Sequence, residues 1–336
     1  MFIRSWLAVL TALGLAAGPA QADCKLGMLA ALPVTMVGLR PTIAVKINGK
    51  PARFLIDSGG FYSIIYPWAA QKLDLKTVLL NSMTIKGAGG EVRKVQMTSV
   101  KTLTLAELPV HDIDFLVVAP SGQDGDIAGL IGENVLGMAD VEYDLGNGMV
   151  RLFTSTGCTG TNLGYWAKGG AAVELPLLHT ARLERDPNDR DPSAPWTGNI
   201  DRHIQAVAQV NGKRMDVTFD TGAGRSLMTL SAAARAGVTP QSQGVVATGR
   251  MGGFGTQLFD TWIAPFDSFA LGDENIRNTK LQIGSADLLG SDMLLGADFF
   301  LAHRIYIANT EKKAYLTYNG GPVFRFDKPE QTAPAQ

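Results

Sequence analysis

The sequence predicts an all-β protein with a few short helices, built from two copies of one domain. Three observations predict it. An internal repeat runs through the chain at an offset of 163 positions, short apolar runs with strand patterning recur in both copies, and Asn-Gly and Gly-Gly turns punctuate those runs.

The repeat lays residues 41–156 over 203–319. Val45-Lys46-Ile47-Asn48-Gly49-Lys50 falls on Ala208-Gln209-Val210-Asn211-Gly212-Lys213, and Phe54-Leu55-Ile56-Asp57-Ser58-Gly59 falls on Val217-Thr218-Phe219-Asp220-Thr221-Gly222. The match continues at Ser63 with Ser226, Ala70 with Ala233 and Gly89-Gly90 with Gly252-Gly253. It then slips by one, so that Leu130-Ile131-Gly132 meets Leu294-Leu295-Gly296. Strands are expected over 42–47, 54–56, 115–118 and 149–153, with the first strand near Thr42. Asn48-Gly49 and Asn211-Gly212 each separate two apolar runs, the strongest short-range hairpin signal. Short helices fit 67–73 and 231–236, after the two Asp-containing turns.

The ends and the middle of the chain read differently. Arg4 precedes an apolar run over 6–17, then Gly18, Pro19 and the small-residue site Ala20-Gln21-Ala22, the pattern of a cleaved secretory signal over 1–22. The run is shorter than the ~20 apolar residues that a membrane-spanning helix needs. A first domain is expected over 23–160. Residues 161–202 hold a partial strand, Val173-Glu174-Leu175-Pro176-Leu177, and a polar linker or insertion that carries Pro187, Pro192 and Pro195. A second domain follows over 203–326, and 327–336 has too little apolar content to be ordered.

With 46% apolar and 18% charged residues, and 30 basic against 31 acidic side chains, the chain is neither disordered nor a basic nucleic-acid binder. Loss of 1–22 would remove only Arg4, so nucleic acid and membrane surfaces are not expected partners. A secreted, periplasmic location follows from the leader. In such an oxidising compartment the isolated pair Cys24 and Cys158 reads as a disulfide. Lipid modification of Cys24 is the rival, although Asp23 stands where such sites want a small residue.

Asp57-Ser58-Gly59 and Asp220-Thr221-Gly222 carry the sharpest chemical signal. A motif this short occurs by chance roughly 0.2 times in a chain of this length. Two occurrences at matched positions, each after an apolar strand, are far less expected. Together with Ser63 and Ser226, a Gly-rich hairpin in each copy and an apolar-apolar-Gly element late in each, the chain resembles a tandem pair of retropepsin-like aspartic peptidase domains, fused as in two-lobed pepsin-like enzymes. The resemblance implies two β-barrels, catalytic aspartates at Asp57 and Asp220, and a peptide held extended between the lobes of a monomer. Ser58, Thr221, Ser63 and Ser226 would support the pair, and Gly59 and Gly222 would let substrate and the opposing backbone approach. Gly87, Ala88, Gly89 and Gly90, with Met251, Gly252, Gly253 and Phe254, occupy the places of the two flaps.

The chemistry explains why such turns come in pairs. An amide is a poor electrophile that needs both an activated water and a proton donor. Two carboxyls held about 3 Å apart cannot both ionise, so one serves as base and the other as acid. No cofactor is expected, since His111, His179, His203 and His303 share no metal-ligand spacing. No Gly-x-Ser-x-Gly elbow supports a serine nucleophile. Two departures from the family pattern, Gly60 after the first motif and the absence of a flap tyrosine, favour the alternative of a peptide-binding or scaffold protein that keeps the fold without turnover.

Overall fold

The computed structural model describes residues 23–81, 83–119, 125–170, 172–178, 203–324 and 326. The expected leader, the polar stretch over 182–202, and the tail over 327–336 lie outside the described residues.

Both copies fold as closed six-stranded barrels. In the first lobe, Arg40–Ile47 pairs with Lys50–Ile56, which pairs in parallel with Ile127–Ile131. Ile64–Ile65, Leu108–Val117 and Gln96–Leu105 follow, and the last pairs back onto Arg40–Ile47. In the second lobe, Gln205–Val210, Lys213–Phe219, Met293–Leu295, Leu227–Thr229, Glu274–Gly284 and Leu258–Leu271 close in the same order. The Asn-Gly turns explain the first hairpin of each barrel. Asn48 and Gly49 have φ of 49° and 83°, and Asn211 and Gly212 have 48° and 71°, the left-handed pair that a two-residue hairpin requires.

Among the described residues four short α-helices interrupt the strands: α1 (Pro67–Lys72), α2 (Glu133–Leu136), α3 (Leu230–Arg235) and α4 (Ala297–Ala302). Pro67 opens α1, where a missing N–H costs nothing, and the Thr229 hydroxyl caps α3 by accepting from the Ala232 N–H at 3.2 Å. α2 and α4 each follow an apolar-apolar-Gly element, Leu130-Ile131-Gly132 and Leu294-Leu295-Gly296.

A sheet shared by both lobes lies between the barrels. Its order is Lys25–Val37, Met149–Thr156, Asp140–Asp144, His303–Ala308, Lys313–Tyr318 and Val173–Pro176. The lobes meet at its centre, where Val141 pairs with Ile307 and Tyr143 with Ile305. Glu142, fully buried, accepts from the Arg304 guanidinium at 3.0 and 3.1 Å and also from Arg151, so an ion pair spans the lobes. The first strand begins at Lys25, not near Thr42. Its sequence is largely apolar but does not alternate, and at the edge of the shared sheet even Met28 and Leu29 are 61% and 43% exposed. Cys24 and Cys158 are joined by a disulfide, at a separation of 134 residues, beside the Lys25–Thr156 end of the antiparallel pair formed by Lys25–Val37 and Met149–Thr156.

Candidate active site

Each catalytic-type turn hangs from the end of a barrel strand. Asp57 follows Lys50–Ile56 and Asp220 follows Lys213–Phe219. The Asp57 N–H donates to the Ile131 carbonyl at 3.0 Å and the Asp220 N–H to that of Leu295 at 2.9 Å. Within each turn one carboxylate oxygen accepts two backbone N–H groups. Asp57 Oδ1 accepts from Gly59 and Gly60 at 3.1 and 2.9 Å, and Asp220 Oδ1 from Gly222 and Ala223 at 2.9 and 3.0 Å. Gly60 therefore makes the same bond as Ala223, and this departure leaves the turn geometry intact.

Ser58 and Thr221 lock the turns to one another. Each donates its N–H to the other's hydroxyl oxygen at 3.0 Å. The Ser58 hydroxyl donates to the Phe219 carbonyl at 2.9 Å, and the Thr221 hydroxyl to the Ile56 carbonyl at 2.8 Å. All of these groups are buried, so every bond replaces one that water cannot supply. The lock brings Asp57 and Asp220 within hydrogen-bonding reach of each other. It also makes glycine obligatory beside each: a Cβ on Gly59 would lie 2.3 Å from Asp220 Cγ, and one on Gly222 would lie 2.4 Å from Asp57 Cγ.

Ser63 and Ser226 brace the turns one layer further out. The Ser63 hydroxyl accepts from the Gly132 N–H at 3.0 Å and donates to Asn134 Oδ1 at 2.7 Å. The Ser226 hydroxyl accepts from the Gly296 N–H at 3.0 Å and donates to Asp298 Oδ1 at 2.7 Å. These serines fix the segments whose preceding residues, Ile131 and Leu295, hold the aspartates. In the sequence Asp298 stands out only as part of the family-typical element Gly296-Ala297-Asp298-Phe299-Phe300, and Asn134 was not singled out, although each stands two residues after the glycine of its apolar-apolar-Gly element.

The electrostatics follow from this enclosure. The two carboxyls keep partial contact with solvent only through the cleft. Burial pushes Asp57 well above the ordinary carboxylate range, and the neighbouring Asp220 charge pushes it further. Burial raises Asp220 too, opposed by its bonds from Ala223, Asp57 and Gly222. Burial also raises Asp298, to about 6, against the bonds it accepts from Ser226 and Phe299.

Above the pair lies a cleft of about 540 Å³. Two apolar walls flank the dyad: Leu55, Ile64, Tyr66 and Leu116 in the first lobe, and Leu227, Phe259, Leu288 and Leu294 in the second. Both flaps cover it. Gly87, Ala88, Met251, Gly252, Gly253 and Phe254 line the cleft, whereas Gly89 and Gly90 do not. The tips instead pair with each other: the Gly89 N–H donates to the Phe254 carbonyl at 2.9 Å and the Gln257 N–H to the Gly89 carbonyl at 2.8 Å. Each tip also packs on the opposite lobe, Phe254 against the first apolar wall and Ala88 against the second. Arg40 and His203, which the repeat places at equivalent positions, also line the cleft; the sequence singled out neither as a cleft residue.

Among the described residues no group of three His, Cys, Asp or Glu side chains is placed to hold a metal ion, and no helix is long and apolar enough to cross a membrane.

Two lobes contributing one aspartate each to a locked, buried pair define the aspartic protease fold and site. The aspartyl protease family model matches the chain twice, over residues 43–138 and 206–299, and the chain belongs to that family. Among solved structures it is similar to the aspartic proteinase from Irpex lacteus, with a TM-score of 0.51 and 14% identity over 88% of this chain and 97% of that one, a likeness of fold. A retropepsin-like aspartic protease from Rickettsia conorii also matches, at 18% identity and a TM-score of 0.29 over 40% of this chain and 96% of that one. No curated protein matches at a significant level.

Proposed function

We propose that the chain is an aspartic endopeptidase, exported as a monomer, that cleaves extended peptides in the interlobe cleft. The observation that carries this reading is the pairing of Asp57 with Asp220 through the Ser58 and Thr221 lock. The pair holds one proton between two carboxyls whose ionisation burial opposes. Its ionised member takes a proton from a water molecule as the oxygen attacks the amide carbon, while the shared proton passes to the carbonyl oxygen. The tetrahedral product then collapses: the C–N bond breaks, the amine leaves with a proton from the pair, and one hydroxyl of the former gem-diol returns its proton to the ionised member, which restores the one-proton pair and leaves a carboxylic acid. The two-flap cover excludes bulk water from this exchange and offers backbone groups to an extended substrate.

The chain is divided in this reading into a leader over 1–22, a first lobe over 23–160, a connecting segment over 161–202 and a second lobe over 203–326. The Cys24–Cys158 disulfide favours an oxidising compartment such as the periplasm. Incubating purified protein lacking 1–22 with a diverse peptide library, with products read by mass spectrometry, tests the activity. Internal cleavages at a specific rate unchanged on serial dilution support a dyad built within one chain. Activity that vanishes on dilution would point to assembly between chains, and saturable binding without cleavage to a non-catalytic peptide binder.

A further inference from the structure

The two flap tips cross. Phe254, carried by the second lobe's flap, packs against the first apolar wall, and Ala88, carried by the first lobe's flap, packs against the second. They pass in contact: a Cβ on Gly87 would lie 2.8 Å from Phe254 Cβ, and one on Gly253 would lie 2.8 Å from Ala88 Cβ. Backbone groups fix the crossing, since the Phe254 carbonyl accepts the Gly89 N–H at 2.9 Å. The Phe254 side chain takes no part in that bond, so its size can change while the bond is kept.

Both walls stand beside the reacting pair. Leu130 of the first wall precedes Ile131, whose carbonyl holds Asp57, and a Cβ on Gly60 would lie 3.0 Å from Asp57 Oδ2 and 3.3 Å from Leu130 Cδ1. Leu294 of the second precedes Leu295, whose carbonyl holds Asp220. Consecutive side chains of an extended peptide point to opposite faces, so of the two residues that flank the scissile bond one faces each wall. The room left for them differs. A half-buried aromatic ring from the opposite flap shares the first wall with Leu55, Ile64 and Leu116, whereas a methyl group reaches across to Leu227, Phe259 and Leu288. The walls repeat the difference at one matched position, where Leu55 of the first faces the cleft and Thr218 of the second does.

Resting on the peptidase reading, we infer that Phe254 and Ala88 set the sizes of the two side chains accepted at the scissile bond: a small one, glycine or alanine, where the peptide faces the first wall, and a large apolar one, leucine, methionine or phenylalanine, where it faces the second. The Phe254 ring fills first-wall space that a larger substrate side chain would need, and a packed apolar site does not take extra methylenes without strain. The Ala88 methyl leaves the matching space on the second wall to the substrate, where a large apolar side chain gains by leaving water. A difference of one methylene in such a pocket is worth roughly 10–200-fold in specificity.

The test is a series of peptides that share fixed outer residues and carry Ala, Leu or Phe at each of the two positions flanking the scissile bond. Relative kcat/KM is measured for the full mature chain, for Phe254→Ala and for Ala88→Phe. Affinity is measured by fluorescence anisotropy for Asp57→Asn with and without Phe254→Ala. At one position Ala should exceed Phe by about tenfold or more, and at the other the order should invert. Phe254→Ala should level or reverse the order at the first position alone, and Ala88→Phe should weaken Phe at the second alone. Loss of folding does not give a change confined to one position, and if either variant fails to fold, the other and the wild-type series decide. Hydrolysis in which both variants scale every peptide by one factor, or in which the wild type takes Phe best at both positions, overturns the size assignment and leaves the peptidase reading standing. Absent hydrolysis with affinities that follow the same size order and shift with Phe254→Ala keeps the assignment and removes the turnover, and absence of both overturns both.

Discussion

Ser58 and Thr221, 163 residues apart in sequence, each donate a backbone N–H to the other's hydroxyl oxygen at 3.0 Å. Removing either hydroxyl strands a buried N–H of the partner turn and frees a strand-end carbonyl. Ser58→Ala and Thr221→Ala should each cost about 1–3 kcal/mol of stability and lower kcat more than they raise KM. The double variant should fall well short of the sum, because both changes break one lock. Chemical denaturation with steady-state kinetics checks this, and strictly additive losses would show that the two bonds act independently.

The glycines beside the aspartates make a steric prediction. Gly59→Ala would put a Cβ 2.3 Å from Asp220 Cγ, and Gly222→Ala would put one 2.4 Å from Asp57 Cγ. Carboxyls cannot give way by so much and stay paired. Each substitution should abolish turnover, while Gly60→Ala, whose Cβ would come no nearer than 3.0 Å to Asp57, should keep much of it. Near wild-type rates in Gly59→Ala would contradict the close approach.

Asp298 and Asn134 occupy matching places beneath Ser226 and Ser63 but differ in charge. Burial raises Asp298 to about 6, and its Oδ2 has no hydrogen-bond partner. A folded-state value above the unfolded value of 3.8 means the folded chain binds more protons between them. The associated stability is therefore fully present below about 3.8 and is lost as pH rises through about 6, a difference on the order of 3 kcal/mol. Asp298→Asn, which imitates the first lobe, should remove that slope and raise stability near neutrality. Thermal unfolding from pH 3.5 to 7.5 is the measurement, and an unchanged slope in the variant would assign the effect elsewhere.

Backbone hydrogen bonds join the flap tips at Gly89, Phe254 and Gln257. Gly255 has a φ of 119°, and a Cβ there would lie 2.2 Å from the Gly89 carbonyl oxygen. Gly255→Val should part the tips, raise KM several-fold and speed hydrogen exchange at the amides of Gly89 and Gln257, with little change in global stability because the tips lie outside the barrels. Unaltered exchange at both amides would show that the tips do not depend on this contact.

Much of this site was legible because duplication displays the same short motif twice. Asp57 and Asp220, with Ser58, Gly59, Thr221 and Gly222, stand in matching registers after apolar strands, and the structure brings them together. Residues whose copies differ were harder to read. Asn134 and Asp298, like Arg40 and His203, share a place but not a side chain, so a comparison keyed to identity does not pair them. The shared sheet was hidden for another reason. Asp140–Asp144 meets His303–Ala308 across the lobes, and nothing local in either strand specifies a partner so distant. The edge strand Lys25–Val37 lacks a clean alternation because much of it faces solvent. α2 and α4, with four and six residues, are too short to show a helical period.

The central claim is that Asp57 and Asp220 work as one proton-sharing unit, and it is tested most directly by the hydrolysis rate of a single peptide measured for Asp57→Asn, Asp220→Asn and the double variant, each with its fold verified. Each single change should lower kcat at least ~100-fold, and the double change should lower it little further, because a pair that shares one proton is disabled by the loss of either member. Wild-type turnover in either single variant would contradict the account.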